Sequence, residues 1–313
     1  MALSISKEKI GVQKGVKRVS RLKRTEAWEG RIFALPFILG FLIWWAYPLG
    51  YSIYLVFHSW DLLSPPEFVG LANLQELWAD EQVSLSLYNS AYFTFVGVPL
   101  QLILALLFAM TLNTKIRGLA FYRTLLYLPA MTPIVASAVV WMQILHPEFG
   151  ILNHFLGKFG IEPVNWLFEP AAAKPAFILM TLWVVGPQMV IFLAGLQGVP
   201  TNLYEAAEID GANNRQQFFN ITLPMISSVI FFNLVVGIIA SFQVFTTAFI
   251  MTQGGPQNAT LFVVLYLYRN GFQYFKMGYA SAIAWMLFAI IVFFTVVQFR
   301  LASRWVYEEG GSR

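Results

Sequence analysis

Long runs of apolar residues, separated by short polar segments, dominate the chain. An α-helix needs about 20 apolar residues to cross the hydrocarbon core of a bilayer, and six runs reach that length. They predict transmembrane helices at residues 32–57, 87–112, 124–145, 175–196, 227–250 and 278–301. The first run is too long, and too rich in tryptophan and tyrosine, to be the apolar part of a cleaved signal peptide. We therefore expect an all-α integral membrane protein with six permanent spans.

The composition agrees with this pattern. Only 12% of the 313 residues are charged, which is about half of the roughly 25% usual for a soluble domain. A surface with so few charges must face something other than water, and lipid is the obvious candidate. The chain contains no cysteine, which excludes disulfide bonds, cysteine-type zinc sites and thiol nucleophiles.

The distribution of lysine and arginine predicts the orientation. Of the 20 basic residues, nine precede residue 32, where a basic tail next to an apolar run favours a topology signal over a nucleic-acid arm. With a cytoplasmic N-terminus, the inner side also holds Lys115, Arg117, Arg123, Arg215, Arg300, Arg304 and Arg313. The outer side holds Lys158, Lys174, Arg269 and Lys276. This bias predicts that both termini are cytoplasmic, with tails of residues 1–31 and 302–313 around a membrane domain of residues 32–301.

The three outer segments, residues 58–86, 146–174 and 251–277, contain turn residues and aromatic side chains. One interpretation is that they form short interfacial helices and a cap over a cavity. The other is that they are loose connectors carrying an aromatic belt. The sequence leaves both open.

The chain has no visible energy source of its own. The cores of the six spans contain no Asp, Glu, Lys, Arg or His, and ion-coupled carriers usually need such groups to bind the driving ion. No phosphate-binding loop is present. The histidines His58, His146 and His154 do not have metal-ligand spacing, and no hydrolase motif occurs. We therefore expect neither an enzyme nor a metal site, and an ion-coupled secondary carrier remains the alternative to a pump powered by a partner.

The longest inner loop, residues 197–226, has a readable pattern. Asn202 is predicted to cap a helix, with Glu205 reaching back in a capping box. Gly211 is the natural stop, because glycine accepts the left-handed conformation of a helix end. A second helix is predicted from Asn213 to Asn220, ending before Pro224.

The pattern of this helix pair also fits two other interpretations. It could be a plain surface connection, or a DNA-binding helix-turn-helix, since Ala207 and Gly211 have the spacing of that motif. The second is excluded by charge, because three carboxylates stand against the single cation Arg215, and duplex DNA needs several phosphate-neutralising cations.

The segment Glu205–Ala212, followed by Ile221-Thr222-Leu223-Pro224, resembles the EAA loop of bacterial binding-protein-dependent ABC transporter permeases. The segments Phe68–Asn73 and Thr252–Thr260 resemble the carbohydrate-uptake branch, of the maltose, lactose and glycerol-3-phosphate type. The resemblance covers most of the chain. It implies the importer permease fold (MetI-like) and a place in the plasma membrane of a bacterium or archaeon.

The resemblance also implies a function and partners. The chain would be the permease subunit of an importer for a sugar, oligosaccharide or polyol, delivered by an extracytoplasmic solute-binding protein. A second homologous permease and two cytosolic ATPase subunits would complete the complex, with ATP and magnesium on the ATPase and no cofactor or nucleic acid on this chain. The loop would couple to the ATPase through Glu205, Ala206, Ala207, Asp210, Gly211, Ile221, Leu223 and Pro224. At Thr246 the chain departs from the family, many members of which carry an acidic residue there.

A substrate path for a neutral, hydroxyl-rich solute needs aromatic and uncharged hydrogen-bonding groups. The predicted candidates are Ser137, Trp141, Gln188, Asn233, Ser241 and Gln243. Such residues also hold helices together within membranes, and that interpretation stays open for each. Gly186-Pro187 and Gly237 are expected to loosen the fourth and fifth spans. An anionic solute such as a glycerol phosphate would need cations, which the spans lack.

Overall fold

The computed structural model describes residues 21–114 and 117–307, and for residues 21–27 it describes only the backbone. Most of the predicted basic tail (residues 1–20), Lys115 and the end of the C-terminal tail (residues 308–313) lie outside the described residues. The described chain is almost entirely helical, which confirms the predicted all-α class. It divides into two units, one ending at Ser52 and one beginning at Ile53, and each is described by itself.

The first unit is a helical segment. Helix α1 (Arg21–Phe41) passes through a π-helical turn (Leu42–Ala46) into α2 (Tyr47–Val56), whose last residues belong to the second unit. Residues Trp28–Val56 are long and apolar enough to cross a membrane, and none of the side chains in their most apolar stretch is buried. Phe33 is 86% exposed and Trp44 is 78% exposed. Apolar side chains so fully exposed are expected on a helix surrounded by lipid.

The second unit contains the remaining elements. A small antiparallel pair joins β1 (His58–Ser59) to β2 (Glu67–Phe68). The helices that follow are α3 (Ala72–Ala79), α4 (Glu81–Leu112), α5 (Leu119–Met131), α6 (Ile134–Ile144), α7 (Ile151–Gly157), α8 (Pro170–Trp183), α9 (Gly186–Gln197), α10 (Thr201–Ile209), α11 (Asn214–Gln217), α12 (Leu223–Met225), α13 (Ser227–Phe242), α14 (Thr246–Met251), α15 (Val263–Tyr268) and α16 (Met277–Trp305). Two further π-helical turns lie at Phe218–Thr222 and Arg269–Gln273.

In the described chain, four helical segments are individually long and apolar enough to span a membrane: Trp28–Val56, Glu81–Leu112, Ser227–Met251 and Met277–Trp305. Two helix pairs qualify only as bent units, α5 with α6 at 99° and α8 with α9 at 50°. The number of spans is therefore between four and six, depending on how the bent pairs are counted. Proline explains the sharper bend, because Pro133 cannot donate a helical hydrogen bond and disfavours helical backbone at Thr132.

The predicted loosening of the chain is confirmed at one glycine and wrong at the other. The break between α8 and α9 falls directly before Gly186-Pro187, as expected. Gly237 instead lies inside the unbroken α13, and the interruption follows at residues 243–245. The reason is packing: a Cβ at Gly237 would come within 2.9 Å of Val98 Cγ1, so this glycine permits close approach of α13 to α4.

Helix α4 is the central element, in contact with α8, α9, α13 and α15. Its packing surface includes the fully buried Ala105 and Ala109, whose small side chains let neighbouring helices approach closely. The N-terminal half of α4 also carries buried polar residues, and these bind the segment of residues 251–277. Asn89 donates to the carbonyls of Asn258 and Leu261, and the Ser90 hydroxyl accepts from the Val263 N–H.

The outer segments contain the short helices α3, α7 and α15, which confirms the first of the two interpretations for their secondary structure. Buried asparagines organise two of them. Asn73 donates to the carbonyls of Val56 and His58, and Asn153 accepts from the Val164 N–H and from Trp166 Nε1. These segments therefore have defined internal structure and are not loose connectors.

Candidate coupling loop and transport cavity

Helix α10 begins earlier than the sequence pattern indicates. Pro200, with φ −61° and ψ 129°, is the residue before the helix, and no side chain caps the helix start. The prediction that Asn202 caps the helix with Glu205 is therefore wrong. Proline already has the φ value of a helix, so the chain can turn helical at Thr201, and Asn202 then falls inside the first turn.

The end of α10 confirms the role predicted for Gly211. Its φ of +79° is the left-handed conformation that residues with a Cβ adopt only at a cost. The Gly211 N–H donates to the Glu208 carbonyl at 3.0 Å, and the Ala212 N–H donates to the Ala207 carbonyl at 2.9 Å. These two bonds form a Schellman motif, which satisfies carbonyls at the helix end and fixes the direction of the bend.

The second helix starts where predicted but does not stop where predicted. Asn213 caps α11 in a capping box with Gln216. The helical path then continues through the π-helical turn at Phe218–Thr222 into α12, and so passes Pro224. The predicted end before Pro224 is wrong: this proline lies just after the π-helical turn, and such a local departure from α-helical hydrogen bonding accommodates a residue without an N–H.

The eight predicted coupling residues divide by exposure. In and directly after α10, four of these residues are exposed to solvent: Glu205, Ala206, Asp210 and Gly211. Ala207 is half-buried. Ile221, Leu223 and Pro224 are also half-buried, and Ile221 packs against the hydrophobic core. The residues of the α10 segment thus lie mainly at an exposed surface, whereas Ile221, Leu223 and Pro224 lie in a half-buried layer.

A cavity of about 450 Å³ lies between α4, α5, α6, α8, α9 and α13. Of the six predicted path residues, Ser137, Gln188 and Ser241 line it, whereas Trp141, Asn233 and Gln243 do not. Among the described residues, no charged side chain lines this cavity. Such a lining suits an uncharged, hydroxyl-rich group, which needs apolar surface and a few placed polar atoms.

Hydrogen bonding separates the polar candidates further. Ser241 donates to Thr94 at 2.8 Å, and Asn233 donates to the Val229 carbonyl at 3.0 Å, so each is occupied within the protein. Trp141 packs edge to face on Trp183, with ring centroids 5.9 Å apart. Gln188 lines the cavity, and its buried Oε1, like the buried Nε1 of Trp141, has no hydrogen-bond partner in the described chain. An unsatisfied buried acceptor at a cavity wall is the atom most suited to meet a ligand donor.

Gln101 is a cavity residue that the sequence pattern missed. Its Nε2 donates to the carbonyls of Thr181 and Val184, at 3.2 and 3.0 Å. The break between α8 and α9 leaves carbonyls in this region without helical partners, and a glutamine side chain satisfies them. The available signal was a lone glutamine inside an apolar run. Thr246, the position of the family departure, is the first residue of α14 and does not line the cavity.

An aromatic layer lies at the end of this cavity that adjoins the segment of residues 251–277. Phe262 contacts Phe93 and Phe177, with ring centroids 5.3 and 5.8 Å apart, and the latter two line the cavity. Because Phe262 follows the loop that Asn89 holds, the layer joins α4 and α8 to the outer segment.

Comparison with known proteins shows to which family this chain is similar. Residues 87–307 match the family model described as the binding-protein-dependent transport system inner membrane component. The chain is 42% identical over 295 residues to the probable ABC transporter permease protein YesP of Bacillus subtilis, covering 93% of this chain and 95% of that protein. It is 33% identical over 285 residues to the trehalose/maltose transport system permease protein MalF of Thermococcus litoralis, covering 90% and 96%.

Two further similarities are of the same kind. The sn-glycerol-3-phosphate transport system permease protein UgpA of Yersinia enterocolitica is 34% identical over 287 residues, covering 89% of this chain and 95% of that protein. Among solved structures, a chain of a bacterial ABC transporter involved in alginate import superposes with a TM-score of 0.79. That match covers 91% of this chain and 99% of the other chain at 24% sequence identity. At this level of identity it shows that the two chains share a fold.

Proposed function

The chain belongs to the family of binding-protein-dependent transport system inner membrane components, and on this premise we propose that it is the permease subunit of an ATP-binding-cassette importer for a sugar, oligosaccharide or polyol. It is a multi-pass membrane protein with the MetI-like permease fold. The uncharged cavity and the name of the trehalose/maltose relative support a carbohydrate. The name of the glycerol-3-phosphate relative makes an anionic solute the second candidate.

The proposed topology counts each bent helix pair as one span, which gives six. Both termini and the loop of residues 197–226 are then cytoplasmic, because this orientation places most lysines and arginines inside. The protein resides in the plasma membrane of a bacterium or archaeon, with tails of residues 1–31 and 302–313 around the membrane domain.

The observation that carries the proposal is the loop around α10, which presents an exposed surface on a well-fixed support. Glu205 would meet a basic group of the ATPase, Ala206 and Ala207 would allow close packing, and Gly211 sets the bend. An exposed ion pair contributes only about 0–1 kcal/mol, so coupling depends mainly on packing and geometry. ATP and magnesium bind the two ATPase subunits, and this chain performs no chemistry.

The cavity is one half of the proposed transport path, and a second, similar permease closes the other half. A solute-binding protein delivers the solute at the outer end, and closure of the ATPase subunits switches the access of the path from outside to inside. Gln188 is the best-placed contact on this chain, since the residue lines the cavity and its Oε1 has no hydrogen-bond partner in the described chain.

Reconstitution tests this function. The chain is purified with its ATPase, second permease and binding protein, whose genes are expected beside its own, and placed in vesicles. Uptake of labelled oligosaccharides that requires ATP and the binding protein is the expected result. Uptake driven by an ion gradient without ATP would instead identify a secondary carrier, and the absence of any oligosaccharide uptake would reject the proposal.

A further inference from the structure

Lys174 is a cation for which the described part of the chain provides no carboxylate partner, and it lies near the proposed outer end of the cavity. Among the side chains that the structure describes, those of residues 28–114 and 117–307, the one lysine–carboxylate pair within 4.0 Å is Lys276 with Glu76. The Lys174 Nζ atom instead donates to Asn89 Oδ1 at 3.1 Å. It also lies over two tyrosine rings, 4.8 Å from the centroid of Tyr88 and 5.2 Å from that of Tyr92.

The position of this lysine is fixed by its neighbours. Asn89 is fully buried, and its amide group donates to the carbonyls of Asn258 and Leu261 in the outer segment. Its oxygen is therefore held in place toward Lys174, which is half-buried. A long, flexible lysine side chain that is positioned in this way has already lost much of its freedom, so an incoming anion has less ordering to oppose it.

Lys174 also lies next to the transport path. It precedes Phe177 by three residues on α8, and Asn89 precedes Phe93 by four residues on α4, which in each case is about one helical turn. Phe93 and Phe177 line the cavity, and both contact Phe262. The ammonium group thus lies one turn beyond the aromatic layer, on the side from which the solute would arrive in the proposed topology.

The chemistry of these groups matches one class of solute. An ammonium group has three N–H donors, and Asn89 accepts only one of them. The remaining donors can bind a carboxylate through charge-assisted hydrogen bonds. The Tyr88 ring is 60% exposed and offers a flat face on which a sugar ring can stack. A sugar ring that carries a carboxylate uses both features together, whereas a neutral sugar uses only the second.

We propose that Lys174, Tyr88 and Tyr92 form a carboxylate-binding subsite at the outer mouth of the transport path, and that the solute is an acidic oligosaccharide containing uronate residues. This inference rests on the proposed importer function. Lys174 also provides a cationic group, which the cores of the predicted spans lack. It lies directly before the predicted fourth span of residues 175–196.

The test measures uptake by the complete importer with its own binding protein. Two probes of matched length are compared, a galacturonate trisaccharide and a neutral maltotriose, in vesicles of phosphatidylcholine and in vesicles that also contain phosphatidylglycerol. The variants are Lys174→Gln, which keeps a donor for Asn89 without the charge, and Lys174→Arg, which keeps the charge. Lys276→Gln is the matched control, because this outer lysine also lies near a tyrosine ring but has a carboxylate partner.

We expect wild-type importer to carry the galacturonate probe, and Lys174→Gln to raise its KM about 10-fold or more at unchanged maximal rate, as for the loss of one charge-assisted hydrogen bond. Lys174→Arg should restore most of the affinity, and Lys276→Gln should change nothing. Uptake of maltotriose alone by the wild type would overturn the inference and leave the importer function standing.

Three other results would also overturn the inference. A Lys174→Gln variant with unchanged KM would mean that the lysine does not contact the solute. A fall in maximal rate at constant KM would indicate a structural role. An effect seen only with phosphatidylglycerol would assign the lysine to lipid headgroups. Absence of ATP-dependent uptake of either probe by the wild type would instead count against the proposed function itself.

Discussion

The Tyr204 hydroxyl lies 2.8 Å from the Thr222 hydroxyl, so that a hydrogen bond joins α10 to the π-helical turn that leads into α12 and α13. Thr222 is buried, and Tyr204 packs against the hydrophobic core. Helix α13 in turn supplies Val236, Gly237, Ala240 and Ser241 to the cavity wall. In the proposed importer, a displacement of α10 by the ATPase would therefore have a short, well-packed route to the cavity wall, and we propose this route as the physical basis of coupling.

Removal of the Tyr204 hydroxyl should weaken this route. In Tyr204→Phe we expect solute transported per ATP to fall about two- to five-fold, together with a loss of about 0.5–1.5 kcal/mol in unfolding free energy for one hydrogen bond. The measurement is simultaneous ATPase and uptake assay of the reconstituted complex. Thr222→Val should have the same effect, and the double variant should be no worse than either single variant, since both remove one bond. Additive effects would contradict the coupling role of the pair.

Gly211→Val should impair transport without preventing membrane insertion. A Cβ at Gly211 would meet no atom within 4 Å, so the effect is conformational and does not arise from crowding. Valine in the left-handed conformation at φ +79° costs about 1–2 kcal/mol or more, and the bend should relax to another direction. We expect normal amounts of the variant in the membrane but an uptake rate reduced at least several-fold.

Gly211→Asn is the matched control, because asparagine tolerates the left-handed conformation. It should retain most of the uptake rate. Normal uptake by the valine variant would remove the loop from the coupling mechanism, and equal loss in both variants would point to a contact with the partner that requires a bare backbone.

Much of the fold follows from the sequence for a simple physical reason. Within lipid, backbone groups must be satisfied inside each segment, so a long apolar run predicts a helix almost by itself. Turn residues with one dominant conformation, such as Gly211 at the end of α10 and Asn213 at the start of α11, were also predictable. The helix start at Thr201 was not, because Pro200 and Asn202 both carry start signals and only the three-dimensional path decides between them.

The candidate site was less predictable, since polar residues in membranes can face a neighbouring helix or a cavity with equal ease. Ser241 and Asn233 have internal partners, whereas Gln188 has a free acceptor, and this difference depends on contacts between distant helices. The 99° bend between α5 and α6 has a local cause in Pro133, but the sequence does not indicate that α5 packs on α9 and α6 on α14. From the sequence alone, Lys174 is only one of four basic residues on the predicted outer side. Its contacts with the rings of Tyr88 and Tyr92 depend on how α8 packs against α4.

Gln188→Met should weaken solute binding inside the path. The substitution keeps the approximate size of this cavity-lining side chain but removes its Oε1, which has no hydrogen-bond partner in the described chain. The loss of one hydrogen bond to the solute is worth about 0.5–1.5 kcal/mol, which corresponds to a roughly two- to ten-fold higher KM for uptake. Asn233→Leu is the control, because Asn233 bonds the Val229 carbonyl and does not line the cavity. A KM raised equally by both substitutions would indicate a general packing defect and argue against a solute contact.

Asp80 joins α4, α15 and α16, and this contact should make the stability of the protein depend on pH. It caps α4 and accepts hydrogen bonds from Tyr266 at 2.5 Å and Tyr279 at 2.6 Å. Burial opposes ionisation of the carboxyl group, but the two hydroxyls and the Gln82 N–H hold the pKa of Asp80 below its usual 3.8. On the other side of the contact, burial and the hydrogen bond to Asp80 raise the pKa of Tyr266 to about 12.

The sign of the pH effect follows from these two directions. A lowered carboxyl pKa contributes stability that is present above the ordinary value of 3.8 and is lost as pH falls through the folded value. A raised tyrosine pKa contributes stability that is present below 10.0 and is lost as pH rises through about 12. Asp80→Ala should therefore lower the Tm of the detergent-solubilised protein at pH 7. The difference in Tm between this variant and the wild type should become smaller below pH 3.8 and toward pH 12. The exposed Glu162→Ala should leave Tm unchanged at pH 7. A difference between Asp80→Ala and wild type that stays constant over the whole pH range would show that the carboxylate charge does not stabilise this contact.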